Sequence, residues 1–355
     1  MPITPVVAAI DVGYGYTKFA TSVEGAVNED SFPSFAPMAT GASALGGAAA
    51  LSRLRVMPVE VKGKTYLVGH DSILATDGRM ERLRDAAYCM SDGYHALTLA
   101  ALAYMRKPVI DVLVLGLPLT TLATYRGHLE KTYSGRHELP ETHTLGIDSG
   151  TRTVEVGRVL VVPQPAGALM QAVKESQELR TTTNLVVDLG YFTMDFLCTN
   201  GMSPLPARSG AVEGGMSGFL DELHAGATKD YEKMCPGLLP GEFRMPHHRY
   251  EQALQTDRVL RTSAGNVDLT TAIKSASAKF DQYLDMVAAR VGNTDDILNV
   301  VLAGGGAELL APRFKVRFPR MRKLHTPKRP QFAIVQGYIA AGASLASAGK
   351  PEGKA

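Results

Sequence analysis

Near its start the chain reads AAIDVGYGYTKFATS (residues 8–22), an apolar run that delivers Asp11, Gly13, Gly15 and Lys18 into one short turn. Glycine there allows backbone angles that point amide N–H groups inward as an anion-binding nest. A carboxylate beside such a nest repels phosphate unless a divalent cation stands between them, held through water. Lys18 then acts as a point charge toward terminal phosphates. One such hairpin reads equally well as two strands with charge in the turn.

The pattern returns. TNLVVDLGYFTMDFLCTNG (183–201) places Asp188 and Gly190 177 positions after Asp11 and Gly13. Tyr191 and Thr193 are aligned with Tyr14 (or Gly15) and with Thr17. A third glycine site, Gly304-Gly305-Gly306-Ala307-Glu308, follows the apolar run ILNVVLA. It reads either as a tight strand-to-helix turn or as backbone bared for a flat base and ribose. A duplicated strand–Asp-x-Gly–strand unit predicts two similar domains facing one another.

The elements that must position these residues follow from periodicity. Val6 to Ile10 and Thr17 to Ser22 read as antiparallel strands, and VMPVEVKGKTYLVG as a second hairpin turning at Lys62-Gly63-Lys64. DGYHALTLAALAYMR predicts a helix, VIDVLVLGLPL a strand buried on both faces, and residues 151–162 another strand. PAGALMQAVKES predicts a helix with Pro165 in its first turn. Residues 33–55 read as an irregular excursion, 216–290 as mostly helical, QFAIVQGYIAAGASLAS as a closing helix, and the polar end as frayed.

At 355 residues, two domains are expected. With 45% hydrophobic residues, 20% charged and a net charge of +2, the composition is globular, and the charge is too small to imply nucleic-acid binding by the whole molecule, so any such binding would sit in a local patch. Cys89, Cys198 and Cys235 are few and widely spaced, which fits a reducing cytoplasm and offers neither a disulfide framework nor zinc spacing. No basic region precedes the first apolar stretch, so a signal peptide is not expected. No run reaches membrane-spanning length.

The three motifs IDVGYGYTK, VVDLGYFTMD and LAGGGAELL resemble phosphate-1, phosphate-2 and adenosine motifs of the actin-like ATPase superfamily. Within it the chain looks most like the ParM/StbA plasmid-partition actins. The resemblance implies an α/β, actin-like (ribonuclease H-like) duplicated two-domain fold with Mg2+ and ATP or GTP in the cleft. Domain I would cover 1–163, with a C-terminal helix over 331–348 packing back onto it, and domain II 164–330. The resemblance puts Asp11, Gly13, Tyr14, Gly15 and Lys18 on the first phosphate loop, and Asp188, Gly190 and Tyr191 on the second. Gly304, Gly305, Gly306 and Glu308 fall on the adenosine motif. Asp11 and Asp188 would serve catalysis by holding Mg2+ through water. Gln164, in VVPQPAGALM at the start of the interdomain helix, would orient the attacking water, since an amide both accepts and donates. In RSGAVEGGMSGFLDEL, Glu213 and Gly214 would lie near the ribose. Gly190-Tyr191 departs from the glycine pair of many relatives and narrows the nest.

Two further groups stay open. His247-His248 has metal-ligand chemistry but no third ligand at suitable spacing, so a surface loop is the simpler reading. RFKVRFPRMRKLHTPKR holds Arg313, Lys315, Arg317, Arg320, Arg322, Lys323, Lys328 and Arg329 with no acid. It is either a solvated face or a surface for an acidic neighbour or adaptor-held DNA. No recognition motif for sequence-specific DNA reading accompanies it. The expected function is a cytoplasmic, filament-forming nucleotide hydrolase that segregates plasmid or other DNA through a DNA-binding adaptor. Rivals are a small-molecule kinase of the same superfamily, a chaperone-type ATPase and a non-hydrolysing nucleotide-binding scaffold.

Overall fold

A computed structural model of the protein describes residues 4–39, 54–75, 85, 87–140, 151–239 and 241–348. Most of the 33–55 excursion and the polar end after 348 lie outside the described residues. The first half begins with β1 (Val7–Val12), β2 (Tyr16–Val23) and β3 (Ala26–Pro33), an antiparallel meander. The hairpin of β4 (Met57–Val61) and β5 (Lys64–Val68) turns at Lys62 and Gly63, both with positive φ. Then come α1 (Asp92–Met105), β6 (Val109–Leu117), α2 (Leu122–Tyr133), β7 (Gly135–Pro140) and β8 (Thr151–Pro163). The sheet order is β3-β2-β1-β6-β8-β7, with β1, β6 and β8 mutually parallel. All six residues of β1 are buried, as its short apolar run requires of a central strand.

The second half repeats the plan. Its elements are α3 (Gln164–Glu175), β9 (Thr183–Leu189), β10 (Thr193–Asn200), β11 (Ser203–Pro204), β12 (Gly210–Glu213), α4 (Met216–Met234), α5 (His247–Gln255), β13 (Val259–Thr262), β14 (Gly265–Asp268), α6 (Thr270–Val291), β15 (Asn299–Ala303), α7 (Ala307–Arg317), β16 (Lys323–His325) and α8 (Ala333–Ala348). Its sheet runs β11-β10-β9-β15-β16, with β9, β15 and β16 parallel. The hairpin β9–β10 therefore stands to β15 as β1–β2 stands to β6.

As expected, residues 216–290 are mostly helical, in α4, α5 and α6; the β13–β14 hairpin interrupts them, with Leu260 and Val267 buried together as cross-strand partners.

One apolar cluster binds the halves together. It joins Val7, Val112 and Val114 of the first sheet to Val186, Leu197 and Val301 of the second, around α3 and α8. The two helices cross so closely that a Cβ on Gly337 would lie within 1.8 Å of the Gly167 carbonyl oxygen, so glycine is required at the crossing. The helix α3 starts directly after β8, with Pro163 as its N-cap residue and a proline in its first turn. Gln164 is thereby held at the seam between the sheets.

Candidate functional site

A cleft of about 780 Å3 opens where the two Asp-x-Gly hairpins meet, a size typical of small-molecule sites (about 300–1,000 Å3). The hairpin tips touch across it. A Cβ on Gly15 would lie 3.2 Å from Tyr191 Cβ, and the Tyr14 ring meets Phe192 edge-on at 5.3 Å. The rest of the wall includes residues of α4, α5 and the start of α7.

In the first hairpin, Asp11 pairs across the ladder with Lys18. Asp11 is 1% exposed, yet its charge is answered: Lys18 Nζ lies 3.4 Å from Oδ2 and Gln164 Nε2 donates to Oδ1 at 2.7 Å. The Tyr14 hydroxyl donates to the Asp85 carbonyl at 2.9 Å and its ring stacks on Tyr88, which turns it into the first half.

The second hairpin has the same register and the opposite electrostatics. Asp188 pairs across the ladder with Asp195, so the counterpart of Lys18 is a second acid. Neither Asp188 Oδ1 nor Asp195 Oδ1 has a hydrogen-bond partner. Burial pushes the Asp188 carboxyl up to about 7 against the pull of Lys18, and the charges of Asp11 and Asp195 add to the rise. Burial likewise pushes Asp195 up to about 6, although the Thr193 hydroxyl, donating to Oδ2 at 2.9 Å, and the Leu119 backbone oppose it. The loop itself is docked on α4. The amides of Met216 and Ser217 donate to the carbonyls of Gly190 and Tyr191 at 2.9 and 2.7 Å. An amide lies anti to the carbonyl of its own peptide, so the N–H groups of Tyr191 and Phe192 point away from α4.

These paired carboxylates and the lysine suit a hydrated cation with a polyphosphate. Two buried, unpartnered oxygens are satisfied by a cation or by its waters. Among the described residues no group of three or more His, Cys, Asp or Glu side chains is placed to hold a metal ion directly.

Comparison with known proteins decides the family. A model for the N-terminal domain of actin like proteins matches residues 9–167, and one for the C-terminal domain of archaeal MreB-like actin homologues matches 186–316. The chain belongs to the actin-like proteins. No curated protein matches it at the sequence level. Among solved structures it is similar to the apo pSK41 ParM protein, with 17% identity, TM-score 0.69 and 97% and 99% of the two chains covered. It is similar to the archaeal actin homologue Ta0583 in complex with ADP, with 21% identity, TM-score 0.70 and coverage of 95% and 98%. It is also similar to a ParM from Clostridium botulinum, solved as a 15-stranded filament, with 17% identity, TM-score 0.70 and coverage of 96% and 99%. At these identities the matches establish the two-domain α/β actin-like fold.

Within that fold, Asp11, Gly13, Tyr14, Gly15, Lys18, Gln164, Asp188, Gly190, Tyr191, Gly305 and Glu308 line the cleft together. Four sequence candidates lie off its wall. Gly304, with φ +91°, is crowded against the Leu189 carbonyl, and Gly306 against Met216, so those two glycines serve packing while Gly305 is open. Gly214 lies under the Tyr283 ring, and Glu213 is exposed at the end of β12. The proposed alignment of Thr193 with Thr17 is also shifted by one. The ladders make Thr193 the counterpart of Tyr16, and Met194 that of Thr17.

Sequence reasoning missed several cleft residues. Asp195 was visible as the acid seven positions after Asp188, matching the spacing of Lys18 from Asp11, but its meaning depended on the register. Glu251, Leu254 and Arg258 reach the cleft from α5 and the residue run after it, where no motif marks them. His247 belongs to α5 rather than to a loop, bonding Tyr191 through Nδ1 at 2.7 Å and Asp221 through Nε2 at 3.0 Å. Five of the eight cations in the basic run are answered within the chain. Arg313 pairs with Asp281, Arg317 with Asp285, Arg320 with Asp295, Lys323 with Glu178 and Arg329 with Glu29. No helix among the described residues is long and apolar enough to cross a membrane.

Proposed function

We propose that this protein is a nucleoside-triphosphate hydrolase that takes Mg2+ with ATP or GTP in the interdomain cleft and couples turnover to filament assembly. Its role would be the segregation of plasmid or other extrachromosomal DNA in the cytoplasm, through a DNA-binding adaptor. The observation that carries the reading is the pair of equivalent Asp-x-Gly hairpins meeting tip to tip across one cleft, with Lys18 and Gln164 between them. The similarity to a ParM filament and to an ADP complex supports it.

Each residue has a task in this reading. Gly13, Gly15 and Gly190 bare amides for phosphate oxygens, and Lys18 neutralises terminal charge. Asp11 and Asp188 would hold a hydrated Mg2+, which when bound would supply positive charge beside the phosphate oxygens. Gln164 donates through its amide nitrogen to Asp11, which leaves its carbonyl oxygen to orient a water. Gly305 and Glu308 border the nucleoside. The halves 1–163 with 331–348, and 164–330, would close about α3 and α8.

A small-molecule kinase is the second reading, and Asp195 favours it, as a buried acid in the cleft with one unpartnered oxygen, Oδ1, that could take a proton from an acceptor hydroxyl. Light scattering together with phosphate release, with and without Mg2+ and nucleotide, tests both. A nucleotide-dependent rise supports the filament. Transfer of phosphate to a sugar without a rise supports the kinase, and absence of nucleotide binding overturns both.

A further inference from the structure

Both phosphate loops are tied to one short helix. From the first loop, the Tyr16 hydroxyl donates to Glu251 Oε2 at 3.2 Å. From the second, the Tyr191 hydroxyl meets His247 Nδ1 at 2.7 Å. His247 and Glu251 are four residues apart and so lie on one face of α5 in successive turns. The helix is in turn anchored to α4 by residues three apart on each helix: Asp221 holds His247 Nε2 at 3.0 Å, and His224 Nδ1 meets the Tyr250 hydroxyl at 2.8 Å. Tyr250 and Ala253 are buried beneath it in the core of the second half.

The two ties differ in what they join. Tyr191, His247 and Asp221 all belong to the second half, so that chain sets the height of the second loop within its own domain. The Tyr16–Glu251 bond runs from the first sheet to the second half, across the cleft mouth. Separating the domains must break it, whereas the Tyr191 tie survives opening.

We propose that α5 is a clasp in which Glu251 and His247 act as positioning residues, registering the first and second phosphate loops to one rigid element and setting how far the cleft closes. Glu251 holds the domains together through Tyr16. His247 fixes the Tyr191 ring in the cleft wall, where it packs against Gly15 of the first loop. As regulation of nucleotide retention this rests on the function proposed above, but the closure it describes exists without ligand.

The experiment therefore reads closure and retention separately. Spin labels at Lys64 and Leu239, in a Cys235→Ser background, report the distance between the two halves in the ligand-free protein. Tyr16→Phe and Glu251→Gln should each lengthen that distance and broaden its distribution, and the double variant should do no more than either alone. Tyr191→Phe should leave it unchanged. With a fluorescent ATP or GTP analogue and Mg2+, Tyr16→Phe and Glu251→Gln should release nucleotide about three- to tenfold faster, again without additivity. Unchanged distances in both first-loop variants, or fully additive release rates, overturn the clasp. Failure of the unmodified protein to bind either nucleotide sinks the functional reading and leaves the distance measurement to judge the clasp.

Discussion

The two Asp-x-Gly hairpins have the same three-residue turn, the same ladder register and the same place in their sheets, yet they carry opposite charge logic. In β1–β2 the buried Asp11 is answered by Lys18 across the ladder and by the Gln164 amide. In β9–β10 the position of Lys18 is taken by Asp195, and two buried carboxylates face each other with an oxygen apiece left unpartnered. A duplicated scaffold has thus been divided into a half that is satisfied by its own chain and a half that needs something else. A hydrated cation is the species whose charge and coordination suit the second half.

The comparison can be broken most decisively at Gln164, the donor that only the first hairpin enjoys. Gln164→Ala should lower the rate of phosphate release about a hundredfold or more while nucleotide affinity changes little, as single-turnover assays would show. Equal turnover in the variant removes Gln164 from the chemistry.

Next in size is the lysine. Lys18→Ala leaves Asp11 with one partner fewer and removes the positive charge that opposes the rise at Asp188. Affinity for the triphosphate should fall about tenfold or more in titrations at fixed Mg2+. The carboxyl of Asp188 should move still higher, since the positive charge that opposes its rise is gone. Affinity that stays the same would show that the cation of the first hairpin is not directed at phosphate.

A pH series sharpens the contrast without altering the fold. The carboxyls of Asp188 and Asp195 are raised from 3.8 to about 7 and about 6, so the folded, ligand-free protein keeps protons that the unfolded chain has already lost. Their contribution to stability is complete below about pH 4 and is lost as the pH rises through 6 and 7. Melting temperature should fall by about 2–5 °C between pH 5 and 8 beyond what other groups cause. Asp195→Asn should flatten that slope, and Mg2+ with nucleotide should restore stability at pH 8. A slope unaffected by Asp195→Asn would mean that this pair is already satisfied.

The smallest effect is expected on the basic run. Arg320 and Lys323 are largely exposed and paired with Asp295 and Glu178, so reversing either charge should cost less than about 1 kcal/mol, read by denaturant unfolding. Light scattering should be unaltered if the run is spent on internal pairs. A loss of assembly with intact stability would instead restore it as a contact surface.

Much of this molecule was legible in the amino-acid order. Short apolar runs ending in Asp-x-Gly mark β1 and β9 because a buried central strand tolerates few polar residues before its turn, and the repeat at a fixed offset exposed the duplication. The helix starting at Gln164 and the glycine turn before α7 were readable for similar local reasons. The strands of the β13–β14 hairpin are four residues long with one buried side chain each, Leu260 and Val267, too little pattern to stand out from the helical surroundings.

What the order of residues determined was which turns could cradle an anion and which acids stood beside them, since backbone angles and spacing are local properties. What only the tertiary structure decided was who answers each charge. Cross-strand register set Lys18 against Asp11 and Asp195 against Asp188, and helix placement brought Tyr16 to Glu251 and the basic run to acids of α6 and beyond. Those partners are distant in sequence, and electrostatic satisfaction depends on distance in space and on burial, neither of which a linear pattern encodes.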